Sequence, residues 1–168
     1  MKICIIGYGK MGKMVEKIAI SKGHSINQII DSPSDKVEGN ADVAIIFSTP
    51  DSALPNIMKC FEKKLPVICG TTGWLKDIEK IKKYCETNNN TFLFSPNFSL
   101  GVNLFFKINN SVSKIMRSHD EFNSKICEVH HTTKIDSPSG TALKIKKDID
   151  SVLKKDTSIE SKRIGSNN

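Results

Sequence analysis

Lys2-Ile3-Cys4-Ile5-Ile6-Gly7-Tyr8-Gly9-Lys10-Met11-Gly12 decides the fold. A short apolar run that stops at a glycine reads as a buried strand. Beyond the glycines, Met11, Met14, Val15, Ile18 and Ala19 recur at helical spacing. Gly23 stands where that helix should end. A strand, a glycine turn and a helix in this order give Gly7-x-Gly9-x-x-Gly12 the context of a dinucleotide-binding loop. Gly7 allows the tight turn, Gly9 lets a pyrophosphate approach the backbone, and Gly12 lets the helix pack close to the strand. Lys10 and Met11 belong to the same turn, where the helix N-terminus offers N–H groups and partial positive charge. A second apolar run, residues 26–30, ends at Asp31, a carboxylate suited to ribose hydroxyls. No arginine follows to hold a 2′-phosphate, although Lys10 and Lys36 could contribute, so NADH is favoured over NADPH. The bland alternatives are a ligand-free glycine turn and a plain loop carboxylate.

The alternation continues outward from this unit. Residues 43–47 read as a strand ending in Ser48-Thr49-Pro50, and residues 53–63 as a helix. Residues 66–69 read as a strand ending in Gly70-Thr71-Thr72-Gly73-Trp74, and residues 75–85 as a helix. Asn88-Asn89-Asn90 marks a turn, and residues 91–94 a strand ending in Ser95-Pro96-Asn97-Phe98. Strands alternating with helices predict an α/β fold, a Rossmann-type doubly wound parallel sheet. Ligands of such sheets sit beyond the C-terminal strand ends, where every one of these Gly/Ser/Thr-rich segments falls. Ser48, Gly70, Thr71 and Thr72 are therefore cofactor-binding candidates, small enough to admit a nicotinamide ring. Threonines capping the next helix are the alternative for the last two. Trp74 reads as core packing.

After Phe98 the pattern changes. Residues 102–116 form a helical pattern with Phe105, Ile108, Val112 and Ile115 on one face. Residues 122–129 are strand-like, residues 141–153 helical, and the tail from 154 to 168 is polar. The expected organisation is a dinucleotide-binding domain over 1–98 and a smaller α+β domain over 99–168.

Composition narrows the function classes. The chain has 168 residues, five cysteines and a formal charge of +7. No apolar run approaches the roughly 20 residues of a membrane helix. Met1 leads straight into the first strand, leaving no room for a signal peptide. The cysteines (Cys4, Cys60, Cys69, Cys85, Cys127) form no C-x-x-C pair, which predicts reduced, mostly buried thiols in a cytoplasmic protein. Lysines such as Lys59, Lys63, Lys64, Lys80, Lys82 and Lys83 read as solvated helix faces. There is no basic stripe with base-stacking groups, so nucleic acid is not an expected partner. His24 and His119 read as surface residues, and no cluster has metal-ligand spacing.

The richest chemistry lies in Glu128-Val129-His130-His131-Thr132-Thr133-Lys134-Ile135-Asp136-Ser137-Pro138-Ser139-Gly140-Thr141-Ala142. Imidazoles move protons near neutral pH. A lysine ammonium holds an anion or stabilises developing negative charge. Ser139-Gly140-Thr141, opening a helix, offers hydroxyls and N–H groups to a carboxylate. Together they suit a small anionic substrate that is protonated during reaction. A strand-end histidine pair with purely structural hydrogen bonds is the alternative.

These segments, with Phe47-Ser48-Thr49-Pro50, residues 69–74 and residues 96–103, occur in an order that resembles the 4-hydroxy-tetrahydrodipicolinate reductase family, historically the dihydrodipicolinate reductases. The resemblance covers residues 1 to about 142. It implies reduction of a cyclic imine-type dicarboxylate by NADH or NADPH, with loss of water, in lysine and diaminopimelate biosynthesis. It implies His130 and Lys134 as the catalytic pair. His131, Lys134, Ser139, Gly140 and Thr141 are implied as substrate-carboxylate ligands. Asn97 and Phe98 match the segment that closes over the nicotinamide. A homotetramer built on the second domain is implied as well. Two departures stand out. Thr132 and Thr133 replace a common Arg and His, lowering local positive charge. Family members also continue well past residue 168, so the second domain reads as C-terminally incomplete relative to them. Two other readings remain: a catalytically inactive NAD(P)H-binding or interaction protein, and another Rossmann amino-acid dehydrogenase. The latter leaves residues 128–142 unexplained.

Overall fold

Both faces of β1 (Lys2–Ile6) are covered from Ile3 onward, which is why Ile3–Ile6 are all apolar rather than alternating. Ile3 and Ile5 pack with Ala19 of α1 (Lys10–Ser21) on one side. Cys4 and Ile6 join the larger core on the other. In this computed structural model residues 1–134 and 136–165 are described. Ile135 of the His-His segment and residues 166–168 of the polar tail lie outside the described residues.

The chain divides into two compact units, Met1–Phe98 and Ser99–Asn168. The first holds a five-stranded, all-parallel sheet in the order β2-β1-β3-β4-β5. Its other strands are β2 (Ser25–Ile30), β3 (Val43–Ile46), β4 (Val67–Cys69) and β5 (Phe92–Phe94). Helices α2 (Pro50–Glu62) and α3 (Ile78–Asn88) supply the main core face. There Ile57, Cys60, Phe61 and Ile81 meet Ile46, Val67, Cys69 and Trp74. Trp74 is core, and its indole N–H donates to the Thr71 carbonyl at 2.7 Å. Burial pushes the Cys4 and Cys60 thiols up to about 11 and about 12, so both stay protonated. Cys69 is buried too, Cys85 half-buried and Cys127 exposed.

Several boundaries differ from the sequence pattern for physical reasons. α2 begins at Pro50, because proline is pre-organised for the first helical turn. A 3-10 turn over Leu75–Asp77 precedes α3, which runs on to Asn88 before Asn89 turns left-handed. Gly23 does close α1: its N–H bonds the Ile20 carbonyl and the His24 N–H bonds that of Ala19. His24 is half-buried rather than on the surface. The core side of α1 is Gly12, Val15 and Ala19, whereas Met11, Met14 and Ile18 are exposed. Small residues face the sheet because the helix lies close to it.

The second unit contains α4 (Leu100–Met116), β6 (Lys125–His130), α5 (Gly140–Leu153) and β7 (Ser158–Arg163). β7 was not apparent in the polar tail, yet it pairs in parallel with β6 over its whole length. The second-unit sheet therefore has two strands among the described residues, not one. Its core is small: Ile126, Ala142 and Ile149, with Ile145, Leu153 and Ile159 packed against them. β6 starts at Lys125, and Phe122 is exposed before it. Phe105, Ile108, Val112 and Ile115 of α4 are all exposed. No described helix is long and apolar enough to cross a membrane.

Candidate functional site

The strand order reverses between β1 and β3, so the loops after these strands diverge and leave a crevice at the C-terminal sheet edge. It measures about 790 Å³ and is bounded by Gly7 and Gly9, Asp31, Ser48, and Asn56 and Lys59 of α2. That size suits a cofactor-sized ligand. Gly7 has φ +88°, and a Cβ there would lie 2.1 Å from the Phe47 carbonyl oxygen. A Cβ on Gly12 would lie 2.2 Å from the Gly7 oxygen. Both glycines are fixed by the fold itself. Gly9 differs, because among the described residues nothing lies within 4 Å of its would-be Cβ. The protein gives no internal reason for a glycine there, whereas a ligand pressed against the backbone would.

The other first-unit candidates divide between ligand-facing and structural roles. Asp31 Oδ1 accepts the Tyr8 N–H at 2.8 Å, which ties this carboxylate to the glycine loop. The backbone N–H groups of Asp31 and Ser32 donate to Asp35. The Thr71 hydroxyl is buried and accepts the Ser48 N–H at 2.9 Å, bracing the loop after β3 instead of capping a helix. Gly70 makes room for the Phe47 ring, since a Cβ would meet it at 2.1 Å. Thr72, Lys10 and Met11 are exposed. Phe98 packs edge-on to Phe47 at 6.3 Å, and the Asn97 carbonyl accepts the Ser95 hydroxyl at 2.8 Å. Lys59 does not belong to a solvated lysine face: its Nζ donates to the carbonyls of Pro33 and Asp35 at 2.6 and 3.2 Å. The polar line Ser52, Asn56 and Lys59, at helical spacing beside a strand end, is the signal that would have found these crevice residues.

In the second unit, strand periodicity puts Ile126, Glu128 and His130 on the face toward α5. The strand ends at His130, so His131 is exposed, with its Nδ1 2.7 Å from the Thr133 hydroxyl. Thr132 is held to the Gly165 carbonyl at 3.1 Å. Lys134 pairs with Asp136 at 2.6 Å. The other Asp136 oxygen accepts the Gly140 N–H at 3.3 Å. One carboxylate thus occupies both an ammonium and a helix-start N–H that the sequence assigns to the substrate. Lys134 first, then the backbone bonds, hold the Asp136 carboxyl below its usual range despite partial desolvation. The Ser139 hydroxyl is committed as the N-cap of α5, accepting from Ala142 N–H at 3.1 Å. Thr141 is half-buried in the first turn.

Glu128 and Arg163 complete this site and were not singled out from sequence. Glu128 Oε1 accepts the Ser139 N–H at 3.0 Å and the Ser161 hydroxyl at 2.8 Å. Arg163 lies 3.6 Å from the same oxygen and donates through Nη2 to the Asp136 carbonyl. Burial alone would raise the Glu128 carboxyl. The hydrogen bonds from Ser139 and Ser161 and the charge on His130 outweigh it, holding it down to about 2. A depressed folded-state value stabilises the fold above the ordinary glutamate range and loses that effect as pH falls toward about 2. Acidification below the ordinary value of 4.5 is therefore expected to weaken hydrogen-exchange protection in β6, and Glu128→Gln to flatten that dependence. Equal pH dependence in both proteins would remove the assignment.

Comparison with known proteins bears on both units. The family model for the dihydrodipicolinate reductase N-terminus matches residues 1–98, and that for its C-terminus matches residues 101–167. The chain belongs to the dihydrodipicolinate reductase family. It is 40% identical over 152 residues to the 4-hydroxy-tetrahydrodipicolinate reductase of Christiangramia forsetii, covering 89% of this chain and 64% of that one. It is 34% identical over 167 residues to the reductase of the same name from Archaeoglobus fulgidus, covering 86% and 63%. The chain thus spans less than two thirds of these reductases. Among solved structures, the dipicolinate-bound dihydrodipicolinate reductase of Paenisporosarcina sp. TG-14 superposes with a TM-score of 0.78. That match has 21% identity and covers 98% of this chain and 78% of the other. An oxidoreductase from Agrobacterium radiobacter in complex with NAD+, L-tartaric acid and magnesium superposes with a TM-score of 0.59, at 13% identity over 91% of this chain and 54% of its own. At such identities the likeness is one of fold: an α/β, Rossmann-like parallel sheet followed by a smaller unit, as the reductase resemblance implies.

Proposed function

We propose that this protein reduces 4-hydroxy-tetrahydrodipicolinate to tetrahydrodipicolinate with a nicotinamide cofactor, in lysine and diaminopimelate biosynthesis. The observation that carries the reading is the pairing, in one chain, of a dinucleotide crevice with a His130–Lys134–Ser139 anion site, in a member of this family. Bound in the crevice, the nicotinamide would supply hydride. Gly7, Gly9, Lys10, Met11 and Gly12 would hold the pyrophosphate, with Asp31 at the ribose. Ser48, Gly70, Thr71, Thr72, Asn97 and Phe98 would bound the ring end. The residues fit such a group: Gly9 has open space at its backbone, and α1 presents its N-terminus there.

The substrate's two carboxylates call for cationic, hydroxyl and N–H partners. His131, Lys134, Ser139, Gly140 and Thr141 supply them, with Asp136 giving up its bonds to Lys134 and Gly140 when substrate arrives. Loss of the 4-hydroxyl as water leaves a conjugated imine, and hydride addition to it leaves negative charge that a proton must quench. His130 and Lys134 are the donors, and the Lys134 ammonium also stabilises that charge. The exposed apolar stripe of α4 is the surface we assign to the family's homotetramer.

NADH is the favoured cofactor. The loop after β2 carries Asp31 and Asp35, which would repel a 2′-phosphate, while the Lys59 ammonium is already held by two carbonyls. Asp31→Ala is expected to weaken NADH binding about tenfold or more, the worth of hydrogen bonds to a charged group. NADPH should change less. Titration of cofactor fluorescence checks this, and equal losses would reverse the preference.

The activity test is NADH oxidation by the purified chain with freshly generated substrate. Cofactor binding without turnover would favour an inactive nucleotide-binding protein. Failure to bind either cofactor would end both readings.

A further inference from the structure

The reductase reading leaves one buried pair of atoms without a task. Glu128 is 9% exposed, and its Oε1 is fully engaged by Ser139 and Ser161. Its Oε2 faces His130 Nδ1 at 3.6 Å. Both of these atoms are buried, and among the described residues neither has a hydrogen-bond partner. Buried polar atoms are rarely left unpaired, and a shift of a few tenths of an ångström would join these two.

We propose that Glu128 is the positioning residue for His130: its carboxylate fixes the imidazole as the Nδ1–H tautomer and leaves Nε2 to exchange the proton with substrate. This deepens the reductase reading and rests on it for the role of Nε2. The strand period supplies the placement, because residues two apart in β6 share a face. The chemistry supplies the choice of tautomer. An ionised carboxylate only accepts, so an Nδ1 lone pair turned toward it would be repelled. The low carboxyl value of Glu128 supports its staying ionised. The other charged groups around the pair are Arg163 of β7, beside Oε1, and the Lys134–Asp136 pair reached through the Asp136 carbonyl. From α5 the buried side chains are apolar, Ala142 and Ile149. The Glu128 carboxylate also takes the Ser139 N–H, so one side chain sets both the ring and the start of α5.

Proton balance follows from this arrangement. The imidazolium carries protons on both nitrogens. Loss of the Nε2 proton to substrate leaves the neutral Nδ1–H ring, already facing its acceptor. Water returns a proton to Nε2 after product leaves.

The test is long-range 1H–15N correlation of histidine-labelled full chain under alkaline conditions, where an imidazole is neutral, with His130→Gln to assign the signals. Wild type is expected to show a protonated Nδ1 and a bare Nε2 at His130. Glu128→Gln keeps an oxygen for Ser139 and Ser161 but presents an amide N–H to Nδ1, so the pattern is expected to invert. In the assay, kcat is expected to fall roughly 10²-fold with KM for NADH within about twofold. A wild-type ring protonated at Nε2, or a pattern unchanged by Glu128→Gln, would overturn the proposal. If the Gln variant does not fold, the wild-type tautomer alone decides. If wild type shows no turnover, the reductase reading falls while the tautomer result still stands or fails by itself.

Discussion

Gly7→Ala is expected to destabilise the first unit by about 2–5 kcal/mol and to abolish NADH binding. Two effects add. A φ of +88° is strained for any L side chain, and the new methyl would overlap the Phe47 carbonyl, which is backbone and cannot swing aside. Either β1 and β3 separate at their C-terminal ends or the glycine loop moves, and both would displace the proposed pyrophosphate site. Urea unfolding followed by Trp74, the chain's one tryptophan and a buried member of the first-unit core, reads the loss directly. Gly9→Ala is the companion experiment. Its methyl meets no protein atom within 4 Å, so the Trp74 transition should stay where it is while NADH affinity falls. Unchanged affinity in the Gly9 variant would show that no cofactor touches the backbone there.

The second large effect is expected at Lys134. Lys134→Ala should lower kcat by about 10²- to 10⁴-fold, the usual range for a positioned proton donor, and leave NADH affinity within about twofold. The ammonium lies in the second unit, paired with Asp136 at 2.6 Å, and on the proposed reading its removal would take away both a proton donor and a partner for substrate carboxylate. KM for the dicarboxylate is expected to rise together with the fall in kcat. Stopped-flow turnover with saturating NADH separates the two. An unchanged kcat would remove Lys134 from the chemistry and leave it an anion holder only.

Most of the first unit could be read from sequence because its constraints are local. A strand covered on both faces must be apolar where it is covered, and β1 is from Ile3 to Ile6. A helix pressed onto the strand it follows must begin with small residues, and Gly12 does. The same closeness made α1 misleading, since the conspicuous Met11, Met14 and Ile18 are exposed and the contact is made by Gly12 and Ala19. The role of Lys59 is not legible in sequence, because nothing in a lysine's neighbours tells that two carbonyls from another loop will hold it. β7 escaped notice for a related reason. Only Ile159 in Ser158–Arg163 is apolar, and the inward side chains Ser161 and Arg163 are held by Glu128 through polar contacts. Hydrophobic patterning cannot reveal a strand stabilised in that way. Glu128 itself left a trace: an acid alternating with Ile126 on the inner face of a strand is out of place unless something pairs with it.

The three-residue core under β6 and β7 carries a further implication. A pair of parallel strands has little independent stability, and among the described residues its only buried apolar side chains are Ile126, Ala142 and Ile149, with Ile145, Leu153 and Ile159 packed against them. Opening of this patch needs far less free energy than unravelling the large core behind Trp74. On warming, the proposed proton donors should lose their alignment while the first-unit crevice is still intact, so the proposed turnover is expected to fade at temperatures where NADH still binds.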